Sequence, residues 1–180
     1  MAYGLEQFVA DCRTALKRDA GPAGREVIRQ KLERLLRDKD FLARYCADTT
    51  PAGLRVLHDD AELGFQILAH VNAKARASAP HDHGKSWAIY GQAAGYTDMV
   101  EYERVDNGTD PARAQLRIKR TYRLNPGEAG IFQDGAIHSI EYPDGARFVR
   151  VTGTNLDKIP RAMFDIATGD VTPMTPQRAT

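Results

Sequence analysis

Beyond Pro51 the chain is divided into short segments by closely spaced turn signals, and no other feature narrows its possible folds as much. The breaks are Gly95, Asp106-Asn107-Gly108, Asn125-Pro126-Gly127 and Pro143-Asp144-Gly145. Between or beside them, residues 65–71, 86–94, 96–105, 115–124 and 147–152 are of strand length and apolar or partly alternating. Residues 115–124 partly alternate, as a strand with one wet face should. Several antiparallel strands at short intervals lead to a sandwich or a barrel. Helical periodicity is confined to residues 4–47. There Leu5, Phe8, Val9, Cys12, Ala15 and Leu16 mark one face, Gly21-Pro22 breaks the run, and Val27, Leu32, Leu35 and Leu36 mark a second. Phe41, Leu42 and Tyr45 read as a third, shorter turn.

The expected organisation is a helical region over residues 1–50, a β barrel over 51–172 and a polar, proline-bearing tail over 173–180. A chain of 180 residues, 42% hydrophobic and 27% charged, has enough apolar surface for one real core. Its 25 Lys and Arg against 24 Asp and Glu leave a net charge of +1. That balance gives no bulk attraction for nucleic acid or for a membrane surface, and neither is expected as a partner. Its apolar runs fall far short of the roughly 18 residues of a spanning helix, and the opening residues lack the pattern of a secretory signal. Cys12 and Cys46 make neither a disulfide framework nor a CxxC motif, so a cytoplasmic location is expected.

Chemistry enters with the histidines, His58, His70, His81, His83 and His138. Two of them stand in Pro80-His81-Asp82-His83-Gly84, ahead of the strand-like segment at 86–94. In extended backbone, residues two apart share a face, so the pair presents two imidazoles side by side. A third follows a glycine-bearing turn in Gly135-Ala136-Ile137-His138, where the next strand can lie antiparallel to the first. His58 and His70 lie outside both groups, and His70 reads as a structural residue in an apolar run.

Gly95 twelve residues after His83, and the pattern G-x7-G-x2-H formed by Gly127, Gly135 and His138, resemble the two motifs of the cupin superfamily. Within it the chain is similar to the cysteine dioxygenase and 3-mercaptopropionate dioxygenase group of thiol dioxygenases. Three stretches carry that likeness: Arg55-Val56-Leu57-His58-Asp59, His81-Asp82-His83-Gly84-Lys85-Ser86-Trp87, and the segment from Arg161 through Phe164-Asp165 to Thr168-Gly169. The resemblance implies a mainly β jelly-roll barrel with a small helical region at its N-terminus. It implies a metal held by His81, His83 and His138, and an arginine at Arg55 or Arg161 that grips a substrate carboxylate.

The chain also departs from that group. The Ser-x-His-x-Tyr positions of the last barrel strand are Phe148, Arg150 and Thr152 here, and no carboxylate stands where many cupins add a fourth ligand. If Arg150 faces inward it favours a more anionic substrate. If Val149 and Val151 face inward instead, Arg150 reaches solvent, and strand parity alone leaves both arrangements open.

Three facial imidazoles on an octahedral Fe(II) leave positions for a bidentate substrate and O2. Zinc, nickel and manganese are the alternative occupants. The expected function is therefore an Fe(II)-dependent oxygenase taking O2 and a small anionic, thiol-bearing substrate. The alternatives are a metal-dependent lyase or isomerase acting on another anion, and a non-catalytic cupin that binds a small ligand. A homodimer is compatible with any of these.

Overall fold

A computed structural model describes residues 3–175, and within them three α-helices precede eleven strands. Helix α1 (Leu5–Arg18) buries Phe8, Val9, Cys12 and Ala15, the expected stripe, with Glu6 in its first turn and Lys17 and Arg18 in its last, where each complements the helix dipole. Helix α2 (Pro22–Leu35) starts at the proline that breaks α1 and buries Ile28, Leu32 and Leu35. Val27, expected on that stripe, is 42% exposed. The 100° step from one helical residue to the next turns Ile28 inward in its place. Helix α3 (Lys39–Tyr45) is capped by Asp38, whose carboxylate accepts from the Phe41 N–H at 2.7 Å.

The strands are β1 (Gly53–Asp59), β2 (Gln66–Val71), β3 (Arg76–Ala77), β4 (Ala88–Ala94), β5 (Thr97–Arg104), β6 (Leu116–Leu124), β7 (Ala129–Phe132), β8 (Ile137–Tyr142), β9 (Arg147–Thr152), β10 (Arg161–Phe164) and β11 (Val171–Met174). One sheet has the order β1-β2-β9-β4-β7 and the other β3-β8-β5-β6, all antiparallel. Strands β2 to β9 thus make two interlocked four-stranded sheets, the strand order of a jelly roll, with β1 added at one edge. The fold is mainly β and of the cupin type, with the helical region at its N-terminal end. Strands β1, β3, β7, β10 and β11 are additions to the expected segments. Strand β11 pairs with β10 from Arg161↔Met174 to Phe164↔Val171 and so crosses the expected start of the tail at 173; residues 176–180 of that tail lie outside the described residues.

Helices and barrel share one core on the outer face of the five-stranded sheet. Phe8, Cys12, Ile28, Leu32 and Leu35 pack there with Ile67, Ile89, Val149 and Val151. Each such side chain, fully buried, contributes about 1.5–3 kcal/mol. Contact is closest at Gly91, where a Cβ would stand 2.7 Å from Leu32 and Leu36. The barrel interior holds a second cluster of Tyr90, Met99, Phe132, Tyr142 and Phe148. Both cysteines are buried free thiols in the helical layer. Among the described residues no helix is long and apolar enough to cross a membrane.

A polar latch ties the helices to the barrel. Asp60, just past the end of β1 and 2% exposed, accepts from Arg13 of α1 at 2.7 Å and from the backbone N–H groups of Glu62 and Leu63; its second side-chain partner is His58 at 3.1 Å.

Candidate metal centre

The segment after β3 stays extended alongside β8. His81 and His138 exchange both backbone hydrogen bonds at 2.9 Å, so their side chains leave the same face of the sheet. His81 is an isolated bridge and His83 lies beyond it in a turn, so the expected placement of both on one strand is corrected: β4 begins only at Ala88. The turn is fixed by three contacts. Asp82 accepts through Oδ1 from Gly84 N–H at 3.0 Å and from Ala162 N–H at 2.8 Å, joining the histidine loop to β10. Gly135 N–H donates to the Gly84 carbonyl at 3.0 Å, so the glycine after His83 and the one ahead of His138 hold each other.

Gly84 has φ +58°, and a Cβ there would lie 2.1 Å from the Pro160 carbonyl oxygen. Backbone, not a flexible side chain, is in the way. Gly84→Ala is expected to destabilise the protein by about 2–4 kcal/mol, read as a fall in thermal midpoint. An unchanged midpoint would contradict this account of the loop.

The result is a cluster in which one ligand atom each from His81, His83 and His138 lies within 4.8 Å of the others. His83 is 2% exposed and His138 fully buried. Their Nε2 atoms are 3.3 Å apart. That is the spacing of neighbouring donors on one ion, about 3.0–3.4 Å for bonds of about 2.1 Å. His81 spends Nδ1 on the Ala79 carbonyl at 2.9 Å, which fixes its tautomer and leaves Nε2 free. Burial lowers the pKa of all three. The charge of Arg150 lowers each further, and that of Arg161 lowers His81 and His83. Neutral imidazoles offer lone pairs, and the donor set of three such nitrogens without a carboxylate fits a borderline divalent ion.

Around the imidazoles the barrel wall is aromatic. Phe132 lies 3.9 Å from the His138 ring, centroid to centroid. The Tyr90 hydroxyl stands 3.3 Å from His83 Nε2, and the residue is 2% exposed. The inward alternation of Ala88, Tyr90 and Gln92 on β4 brings this hydroxyl, and not that of another tyrosine, to His83.

Arg150 is opposite Tyr90 in the register of β9 and β4, with its guanidinium 6.0 Å from the Tyr90 ring centroid. It therefore points into the barrel, while Val149 and Val151 pack under the helices. Phe148 shares the inward face and stacks on His70 at 4.4 Å. Thr152, also on that face, donates its hydroxyl to the Thr154 carbonyl at 2.8 Å and turns it away from the imidazoles. Burial, then Arg150, brings the His70 pKa down to about 3.

The two remaining arginines differ. Arg161 begins β10, two residues from Met163, the bridge partner of His81, and its charge reaches His81 and His83. Its nearest carboxylate is Asp157 at 3.6 Å. Arg55, expected at the substrate, is not brought to this cluster. It pairs with Ala69, which pairs with Val149, so it occupies the outer face of the sheet. There its charge and that of Arg147 act on Cys46, whose thiol burial nonetheless pushes up to about 11. Strand parity, unreadable from a motif alone, sends this arginine to the helical layer.

No family model and no curated protein sequence matches the chain. Solved structures similar to it include the cupin domain of Schizosaccharomyces pombe Cnp3, at 10% identity over 59% of this chain and 66% of that one, TM-score 0.45. The matched part is thus a little under two thirds of that domain. KdgF from Halomonas sp. is similar at 13% identity over 55% of this chain and 74% of that one, TM-score 0.42. A cupin superfamily protein from Desulfitobacterium hafniense is similar at 11% identity over 61% of this chain and 84% of that one, TM-score 0.40. Likeness at this level carries nothing about activity.

Proposed function

We propose that the chain is a metal-dependent cupin oxygenase of the thiol dioxygenase type, acting on a small anionic, thiol-bearing substrate with O2. The observation that carries this reading is the convergence of three neutral, inward-facing imidazoles beside two guanidinium groups that lack strong partners. His81, His83 and His138 would hold the metal, Fe(II) in first place and zinc, nickel or manganese otherwise. Bound there, Fe(II) would supply open coordination positions and the redox capacity that O2 chemistry requires.

The chain's own residues do the rest. Arg161 holds an anionic end of the substrate through charge-assisted hydrogen bonds, which fixes its distance from the imidazoles, and Arg150 adds a second positive charge from the facing wall. Tyr90 presents a hydroxyl next to His83 Nε2, able to donate to an atom bound between the histidines. Phe132, Phe148 and Met99 exclude water from that space.

A second reading is favoured by Arg150 and Thr152. Neither rebuilds the hydroxyl and imidazole network of the thiol dioxygenases, and an added positive charge suits stabilisation of an anion in lyase or isomerase chemistry. Elemental analysis of protein purified without added metal, followed by oxygen uptake with cysteine and 3-mercaptopropionate, separates the two. About one iron per chain with thiol-dependent uptake supports the oxygenase. Absence of uptake by fully iron-loaded protein with every thiol tried overturns it, and turnover of an anionic substrate under strict anaerobiosis establishes the second reading. A ligand-dependent thermal shift without any turnover would leave only a binding protein.

A further inference from the structure

Arg150 brings a positive charge into the barrel with nothing to balance it. Its Nε is sealed from solvent without a hydrogen-bond partner, and no carboxylate is paired with it among the described residues. Its cross-strand neighbours are Tyr90 on one side and Leu68 on the other, an aromatic ring and an aliphatic chain. The residue is half-buried, and a partly desolvated guanidinium gains from an anionic partner.

His70 lies two residues from Leu68 on the same face of β2. Its ring is stacked on Phe148 with an interplanar angle of 20°, which fixes its plane, and its Nε2 is likewise sealed and without a partner. Both groups belong to the five-stranded wall. Arg161, whose Nε is also buried without a partner, comes from β10, beside the opposite sheet. Unmet donors thus stand on two different walls beside the imidazole cluster: the Arg150 guanidinium lies 6.0 Å from the ring of Tyr90, whose hydroxyl reaches His83, and Arg161 is two residues from Met163, the bridge partner of His81.

We infer that Arg150 and His70 form a second anion subsite in the barrel, so that the substrate is a small dianion spanning the two walls. One acidic group meets Arg161 and the other meets Arg150 together with the Nε2–H of His70, and the reacting atom lies between them at the histidines. This specifies the substrate class of the site described above and rests on the reading of that site as the reacting centre. His70 is then a specificity residue, not a piece of packing.

The test is anaerobic titration calorimetry on the iron-loaded full chain with two thiols that differ by one carboxylate, 2-mercaptosuccinate and 3-mercaptopropionate. The metal-free protein is titrated in parallel with succinate and butyrate. The wild type is expected to prefer the diacid of each pair by about tenfold or more, the worth of one charge-assisted contact. In Arg150→Gln and in His70→Gln that ratio should fall to about two or less, with Arg150→Lys keeping part of it. A ratio near one in the wild type overturns the inference, as does a ratio that all three variants leave intact. The two levels fail separately. A chain that binds no metal but keeps an Arg150-dependent preference for succinate refutes the oxygenase and leaves the subsite standing. Metal-dependent thiol oxidation without any diacid preference refutes the subsite alone.

Discussion

His138→Ala is expected to reduce the bound metal from about one per chain to below about a tenth, and turnover by about a thousandfold or more. His138 is the sole imidazole that the second motif brings to the cluster, and it is fully buried. Two neutral nitrogens from one short loop are a poor site for a divalent ion, and even indirect partners of a ligand are worth about ten- to a hundredfold in affinity. The metal-free variant should remain folded. The backbone hydrogen bonds that align His81 with residue 138 do not depend on the side chain, and the ring it loses has a buried Nδ1 without a partner. Wild-type protein should gain thermal stability on adding metal, by about 2.7 kcal/mol at a hundred times the dissociation constant, and the variant should gain none. Retention of metal by the variant at the wild-type level would contradict the assignment.

Asp60→Ala is expected to cost about 2–4 kcal/mol of stability, because it breaks the joint between α1 and the barrel and leaves buried donors unmet. The same carboxylate confers a pH dependence. Burial pushes its pKa up, but Leu63 N–H, His58, Arg13 and Glu62 N–H together hold it well below the usual carboxylate range. A group depressed in the folded state stabilises fully above its unfolded pKa of about 3.9 and loses that contribution as pH falls toward the folded value. Wild-type protein should therefore lose stability steadily below about pH 4, and the alanine variant should show a flatter slope there. Chemical denaturation at pH 3 and pH 6 measures both. Equal slopes would remove Asp60 from this role.

Residues that obey one periodicity were readable in advance. The apolar stripe of α1 and the turn-bounded runs that became β2, β4, β5, β6 and β9 follow from spacing alone. Elements without such a signature were not. Strand β10 spans only Arg161–Phe164 and β11 only Val171–Met174, too short for alternation to register; β10 pairs with β11 and also carries the contacts to His81 and Asp82. Ile118 on β6 is 59% exposed, so even in an expected strand apolar character did not mark the buried face.

At the candidate site the histidines were legible because HxH and the later glycine-bearing turn have fixed spacings. The arginines were not, since facing depends on register. Arg150 turned inward because Phe148 fills the barrel on the same face, and Arg55 turned outward because its partner Ala69 lies against the helical layer. His70 carried no motif at all. Only its unpartnered nitrogen and its place beside Arg150 distinguish it from an ordinary core histidine.

The most direct measurement is the position of the metal itself. Crystals of iron-loaded protein, measured at the iron absorption edge, should show one anomalous peak about 2.0–2.3 Å from a nitrogen of each of His81, His83 and His138, with Arg150 and Arg161 turned toward the space beside it. A peak elsewhere on the chain, or none at the three imidazoles in fully loaded protein, would contradict the account at its root.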